Sequence, residues 1–375
     1  MISCSDHYSH RLNVIADHLR DRDYEVTYIT SDFDHVLKRK FQCSVPNHVQ
    51  IHTRPYRKNL SCDRILSHRN FARDVFRYLS NLSHEPSLIV ALLPPNFLAH
   101  YAAEYKRKHP RVKLLFDIFD LWPEAFPSAK WKKLLTPMFR VWAKIRDSNL
   151  YVADFITTEC DLFREKLHLS DDNSQTVFLC AQPVSCGIYP ADLADDRLEL
   201  CYLGSINNII GITEICCLIK ELVTYKPVSL HIIGSGERVQ ELINMAGASG
   251  ACVKYHGAMY EENKKQEIMS RCHFGLNIMK PTVCLGLTMK SVDYFRNGLP
   301  VISNVVADTE KLLKLWGAGI HLDDRSAERI AGLTVDEMIR MRLNVQRMFD
   351  SCFSRNVIDR QYEGLLRDFL RDNYE

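Results

Sequence analysis

The chain has 375 residues, of which 46% are hydrophobic and 25% charged, and its formal net charge is +2. These are the proportions of an ordinary globular protein, and the length exceeds the roughly 250–300 residues at which single cores stop growing. The balance of charge is too small to argue for nucleic acid, no apolar run approaches the roughly 20 residues of a membrane span, and Met1–Ser5 lacks the basic-then-apolar plan of a secretory signal, so a cytoplasmic location is expected.

Thirteen cysteines are scattered without a CxxC pair. Several, such as Cys201, Cys216 and Cys217, lie in apolar runs. That pattern reads as buried free thiols in a reducing compartment, and it argues against disulfides or a structural zinc site.

In chain order, Ser9 is placed to cap a first helix with Leu12, Ile15, Ala16 and Leu19 on one face. Strands are expected at Tyr24–Thr30 and Val49–Thr53, followed by a long amphipathic helix over Arg64–Leu82. Leu88–Leu93 (LIVALL) is a continuous apolar run, as expected of a strand buried on both faces. A helix over Asn96–Lys108, a strand at Val112–Ile118, a helix over Trp131–Arg146 and strands at Phe155–Thr158 and Val177–Cys180 complete this half. The alternation predicts a parallel sheet covered by helices.

Residues 183–197 hold Pro183, Gly187 and Pro190 without periodicity and read as a linker. The pattern then restarts. Leu198–Leu203, Val228–Ile233 and Val253–His256 read as strands that each end on a glycine: Gly204, Gly234 and Gly257. Backbone at such strand ends can approach a ligand closely. Helices are expected over Ile212–Tyr225, Arg238–Met245, Glu261–Arg271 and Leu287–Arg296, with strands at Phe274–Met279 and Pro300–Ser303. Thr334–Tyr374 reads as helical throughout. The division expected is thus 1–182, a linker at 183–197, 198–350, and a C-terminal helix over 351–375 that returns to the first domain.

Gly234-Ser235-Gly236 follows a strand and opens a helix, but Val239 takes the place of the third glycine of a dinucleotide fingerprint. It reads as a tight turn near a nucleotide rather than as a dehydrogenase motif. Leu287–Ile302 (LTMKSVDYFRNGLPVI) is more informative. Lys290 falls in the first turn of a helix, where free N–H groups attract anions and a lysine adds nothing to helix stability. There it is well placed to hold a diphosphate, with Asp293 three residues on to receive ribose hydroxyls. A surface Lys–Asp pair is the alternative. Asp32-Phe33-Asp34 is a DxD, read as a turn more readily than as a metal site.

The K-x-x-D-Y helix followed by G-L-P-V-I resembles the nucleotide-sugar site of retaining GT-B glycosyltransferases of family 4, in the branch that builds bacterial polysaccharides and O-antigens. YLGSINN at Tyr202–Asn208, LHIIGSGERVQEL, VKYHGAMYEENKKQEIMSRCHFGLNIM, DLWPEAFP at Asp120–Pro127 and the opening HYSHRLNVIADHLRDRDYEVTYIT resemble further segments of that family, in the same order. The resemblance implies an α/β protein of the GT-B fold, with two Rossmann-like parallel-sheet domains facing a cleft. It implies transfer of a sugar from a nucleotide-diphosphate sugar to a glycan or lipid-linked acceptor, with retention and without a metal or other cofactor.

On this reading Gly204, Ser205, Gly234, Gly236, Gly257, Lys280, Lys290 and Asp293 bind the donor. Asp120 or Glu124 orients the acceptor hydroxyl or takes its proton, and Trp122 stacks on a sugar face. The alternative for Asp120–Glu124 is a turn that starts a helix. His10 and Arg11, with His7 and Tyr8, meet the acceptor or form a solvated helix start. Two departures stand out. Leu285 occupies the place of the family's first glutamate, and Ile209-Ile210 stands where a lysine is usual. A sugar-nucleotide epimerase of similar fold and a non-catalytic partner subunit are the rival readings. Trp131–Arg146, with basic residues joined by Lys106, Arg107, Lys108 and Arg111, reads either as a helix lying on the inner face of a membrane or as a core helix with a solvated basic face.

Overall fold

The computed structural model describes residues 1–4, 9–35, 37–59, 61–126, 132–182, 193 and 196–370, with the backbone alone at 9, 10, 132–135 and 368. It divides into two compact units, Met1–Phe178 with Asp359–Glu375, and Leu179–Ile358.

Unit 1 contains β1 (Ile2–Ser3), α1 (Ser9–Arg20), β2 (Tyr28–Ser31), β3 (Phe33–Asp34), β4 (Arg39–Lys40), β5 (His48–Ile51), α2 (Cys62–Ser80), β6 (Leu88–Leu93), α3 (Phe97–Lys108), β7 (Lys113–Ile118), α4 (Lys132–Leu150), β8 (Phe155–Thr158), α5 (Asp161–Leu167) and β9 (Ser174–Thr176). The parallel sheet runs β5-β2-β1-β6-β7-β8-β9, and β3 and β4 form a separate hairpin. Its centre is β6 and β7, whose side chains are almost all buried because helices cover both faces. Ser61 starts α2 by accepting a hydrogen bond from the Arg64 N–H at 3.2 Å.

Unit 2 repeats the plan with β10 (Leu198–Leu203), α6 (Ile212–Leu222), β11 (Val228–Ile233), α7 (Val239–Ala248), β12 (Cys252–Gly257), α8 (Glu262–Ser270), β13 (Phe274–Asn277), α9 (Met289–Arg296), β14 (Val301–Ser303), α10 (Asp308–Trp316), β15 (Gly319–His321), α11 (Ser326–Ala331), α12 (Val335–Cys352) and the start of α13 (Arg355–Leu370). Its sheet runs β12-β11-β10-β13-β14-β15, with every pair parallel. Leu200, Tyr202, Leu230, Ile232, Phe274 and Leu276 fill the core beneath α6 and α7.

Several expected boundaries move. The strand expected from Tyr24 begins at Tyr28, because the Tyr24 N–H closes the turn after α1 on the Leu19 carbonyl at 3.1 Å. The strand expected at Val177–Cys180 is β9, three residues earlier, a polar edge strand with little apolar signal. The helical tail is two helices broken around Phe353–Ser354, and the break falls in unit 2. Most of the expected linker lies outside the described residues. The cysteines described are free thiols, with Cys4, Cys160, Cys201 and Cys272 among the buried ones; Cys217, expected inside, is exposed.

One charged residue expected to meet the acceptor is held inside unit 1. Arg11 is 4% exposed and grips Asp117, with Nε and Nη2 donating to its two carboxylate oxygens at 2.8 and 2.7 Å. Its Nη1 donates to the Val177 carbonyl at 2.8 Å. Arg11 is therefore bound into the interior of unit 1 rather than offered to an acceptor phosphate. Asp117 is fully buried, and Thr157 also donates to it. Asp117→Ala would leave a buried guanidinium without its counter-charge, so a loss of about 3–5 kcal/mol in urea unfolding is expected. The side chain of His10, and His7 and Tyr8 altogether, lie outside the described residues.

The expected basic face of Trp131–Arg146 also shrinks. Trp131 lies outside the described residues, Trp142 is buried and Val141 is 62% exposed. Arg146 is buried and paired with Glu124 and Asp147. Lys106 turns inward to Asp154 and to the carbonyls of Pro110 and Val112. Among the described residues no helix is long and apolar enough to cross a membrane.

Candidate functional site

In each sheet the chain leaves the first central strand on one side and returns on the other, which opens a crevice at the carboxyl ends of the strands. In unit 2 this point lies between β10 and β13. α9 is fastened over it. The Thr288 hydroxyl caps α9 by accepting from the Ser291 N–H at 3.2 Å and donates to Asn277, the last residue of β13, at 2.9 Å. Tyr294 anchors the other end of the helix. Its hydroxyl accepts from the Leu203 N–H at 2.7 Å and donates to the Cys201 carbonyl. The ring lies so close to β13 that a Cβ at Gly275 would stand 2.7 Å from it.

This fastening places Lys290 at the carboxyl end of β10. Its ammonium donates to the Tyr202 hydroxyl at 3.0 Å and sits 4.5 Å from the centre of that ring. The Tyr202 hydroxyl in turn donates to the Ser205 carbonyl. No carboxylate pairs with Lys290 among the described residues, and loss of solvent lowers its pKa to about 7. Asp293 does not pair with it. Asp293 is half-exposed and meets Arg296 at 3.4 Å. Partial burial raises its pKa, against the pull of Arg296 and Lys265.

The glycines divide into two groups. Gly204 has φ +105°, and a Cβ there would meet nothing within 4 Å, so its backbone faces open space. Ser205 beside it is exposed. Gly234 and Gly236 instead serve contact between loops, since a Cβ would fall 1.9 Å from the Gly204 carbonyl oxygen and 2.3 Å from that of Ile206. Gly257, with φ +72°, accepts the Gly234 N–H at 2.8 Å. Gly234→Ala must push the 204–206 loop aside. A loss of about 1–3 kcal/mol in unfolding is expected, with weaker nucleotide binding from the displaced loop. Lys280 follows β13, and its N–H holds the Ile209 carbonyl at 2.9 Å. Leu285 packs against the unit 2 core, so no carboxylate stands at that position.

In unit 1 the strand order turns between β1 and β6. A cavity of about 290 Å³ opens there, walled by residues that follow β1, β6 and β7 and by α2. Asp120 lines it. Burial raises its pKa to about 6, although the Trp122 indole donates to it at 2.6 Å and Arg64 lies nearby. Trp122 is held on its ring faces by its own neighbours. The His68 ring is stacked 5.8 Å away at 11°, and the Arg64 guanidinium lies 4.1 Å from its centroid. A sugar would share that ring with them.

Glu124 is held in an ion pair. Its two oxygens accept from Arg146 Nη1 and Nη2 at 3.1 and 2.8 Å, and Arg146 Nη1 also holds the Trp122 carbonyl. Asn96 donates to that same carbonyl and to the Trp142 carbonyl. Glu124 thus pins the 120–126 turn to α4 through Arg146. Glu124→Gln is expected to lower thermal stability while turnover stays within about threefold of wild type, since the buried Arg146 keeps only Asp147 as a charged partner.

The sequence reading missed Cys4, His35, Lys38, Arg64 and His68, all of which face the same cavity. The one signal available was Arg64 and His68 at i, i+4 on α2, a shared face that also fits an ordinary amphipathic helix. Asp32 of the DxD is spent on Lys40 at 2.6 Å and on the Thr53 N–H at 2.7 Å, which ties a turn together.

No protein-family model matches this sequence, and no curated protein matches it. Solved structures do. The lipopolysaccharide outer core galactosyltransferase WaaB, in its apo form, is 13% identical with a TM-score of 0.64 over 99% of this chain and 98% of its own. Anabaena HepE in complex with UDP-glucose is 15% identical with a TM-score of 0.63 over 98% of each chain. Acinetobacter baumannii MurG is 12% identical with a TM-score of 0.53 over 98% of each. At these identities the likeness is one of fold, and it shows that the chain is an α/β protein with the GT-B arrangement of two Rossmann-like parallel sheets.

Proposed function

We propose that the chain is a glycosyltransferase that moves a sugar from a nucleoside-diphosphate sugar to a hydroxyl of a glycan or lipid-linked saccharide, in the making of a surface polysaccharide. The observation that carries this is Lys290. A half-buried lysine with no carboxylate partner among the described residues stands in the first turn of α9, beside the open backbone of Gly204. That environment is completed by a diphosphate. HepE, solved with UDP-glucose and with UDP, supports a uridine nucleotide as the first candidate.

Lys290, Lys280 and the α9 N–H groups carry the diphosphate charge, and no metal is needed at that point. Asp293 receives the ribose hydroxyls. In unit 1, Asp120 orients the acceptor hydroxyl and takes its proton. The acceptor oxygen forms a bond to the anomeric carbon, the bond from that carbon to the diphosphate breaks, and the electron pair leaves with the nucleoside diphosphate. Attack from the leaving-group face gives retention.

The test is a panel of nucleoside-diphosphate sugars incubated with the protein, with and without membrane lipid extract. Release of nucleoside diphosphate only when acceptor is present is expected. An altered sugar nucleotide formed without acceptor would replace this reading with an epimerase. Tight nucleotide binding without turnover would replace it with a binding subunit, the reading that Leu285 in the core favours.

A further inference from the structure

We infer that Cys4, His35 and His68 form a binding site for a thiophilic divalent cation of the zinc class, open on one side to the unit 1 cavity. The three residues come from separate elements: the end of β1, the β3–β4 hairpin and α2. Their ligand atoms nevertheless all lie within 4.8 Å of one another. The Cys4 sulfur is 3.1 Å from His35 Nε2. Cys4 is 6% exposed and His68 2%.

Two further observations point to a ligand. His68 Nδ1 is buried and has no hydrogen-bond partner among the described residues. A buried nitrogen left unpaired is destabilising, and ligation would recover that loss. The other ring is held from behind, because the Tyr56 hydroxyl sits 2.7 Å from His35 Nδ1. Nε2 donates to the Cys4 carbonyl at 2.7 Å, so ligation shifts that proton to Nδ1, which then donates to the Tyr56 hydroxyl, as metal-binding histidines do to their outer partners.

The donor set of one sulfur and two imidazole nitrogens, with no carboxylate, suits zinc or cobalt and not magnesium or calcium. Three protein ligands leave a fourth position, and it falls on the cavity side that Asp120 shares. Binding exchanges a proton for the metal. The S–H bond of Cys4 breaks, the sulfur pair forms the bond to the cation, and the proton goes to solvent. The site gains one unit of positive charge. Lys38 and Arg64 face the same cavity and oppose that gain, while Asp120 favours it. An affinity of about micromolar is therefore expected, weaker than that of closed four-ligand sites.

The experiment uses the full chain without an affinity tag and without nucleotide, titrated with cobalt(II). Wild type is expected to take up about one equivalent, with a thiolate-to-cobalt absorption in the near ultraviolet that zinc(II) abolishes. Cys4→Ser should lose that band. His35→Asn and Tyr56→Phe should bind at least about tenfold more weakly. The site is disproved if wild type shows no band, or if Cys4→Ser keeps it, which would put the metal on another thiol such as Cys62, Cys217 or Cys252. Cobalt bound equally by wild type and His35→Asn would also disprove it. Circular dichroism shows whether each variant folds, and Tyr56→Phe, which removes one oxygen outside the ligand set, decides the matter if Cys4→Ser does not.

Discussion

Lys290→Met is expected to weaken UDP binding at pH 7 by about 10–100-fold and to raise the melting temperature of the ligand-free protein. Both effects follow from one cause. A hydrogen bond to a charged group is worth about 1.5–3 kcal/mol, and the substitution removes the one that Lys290 would make to the diphosphate. Without nucleotide, the same ammonium is partly withdrawn from water beside the Tyr202 hydroxyl. Its folded pKa of about 7 lies below the ordinary lysine value of 10.5. Between those two values the unfolded chain holds the proton and the folded chain does not, so stability rises with pH through that window. Below pH 7 both states are charged and the full cost is present. Methionine removes the cost, and its advantage shrinks as the pH approaches 10.5. A gain of about 1 kcal/mol would raise the melting temperature by about 2–4 °C in domains of this size. Wild-type affinity for UDP should fall as the pH rises above 7, and binding near pH 8 should take up a proton, because the diphosphate restores the ammonium. Calorimetry in buffers of different ionisation enthalpy measures that uptake. A wild-type affinity that stays flat from pH 6.5 to 9, or a methionine variant that binds UDP normally, would remove Lys290 from the donor site.

Asp120→Asn separates catalysis from stability in the opposite way. Turnover is expected to drop by about 10²–10⁴, the usual contribution of a positioned general base. Melting at pH 7.5 should be no lower than wild type. The folded pKa of about 6 lies above the ordinary aspartate value of 3.8. Between those values the folded chain holds the proton more tightly, so stability falls as the pH rises through the window. An asparagine never ionises, and its side-chain oxygen can still accept the Trp122 indole N–H. In wild type, kcat should climb through about pH 6 as the carboxylate forms. If Asp120→Asn turns over within about threefold of wild type, the base lies elsewhere. If it melts much lower, Asp120 belongs to the scaffold.

Much of the scaffold was legible because β6, β10 and β11 are buried on both faces: β6 is an unbroken apolar run, and β10 and β11 are apolar apart from Glu199, Ser229 and His231. The stretch 308–331 was not read. Its elements α10, β15 and α11 are short and lie toward the edge of the sheet, so neither period repeats often enough to register. Lys290 stood out in the sequence because a lysine in the first turn of a helix runs against the helix's own electrostatics. The ion pairs of Arg11 and Glu124 were not legible because a sequence shows a charge and not its partner. Arg11 finds Asp117 106 residues away, and Glu124 finds Arg146 22 residues away. The Cys4–His35–His68 cluster was invisible for the same reason, since 31 residues separate the first two and no local motif joins them.

The two-segment make-up of unit 1 bears on how the chain folds during synthesis. Residues from Asp359 onward belong to the unit that begins at Met1. Within it, His18 meets Asp359 at 3.1 Å, Arg11 approaches the Tyr362 hydroxyl at 3.5 Å, and Phe155 packs on Phe369. On the ribosome, the first sheet therefore emerges early but waits for these late residues before its surface is closed. Residues 179–358, although made later, have all their own parts to hand sooner. The order in which the two halves mature is thus expected to run against the order in which they are translated. A nascent chain stalled just short of Asp359 should resist protease in its second half while its first half is still readily cut.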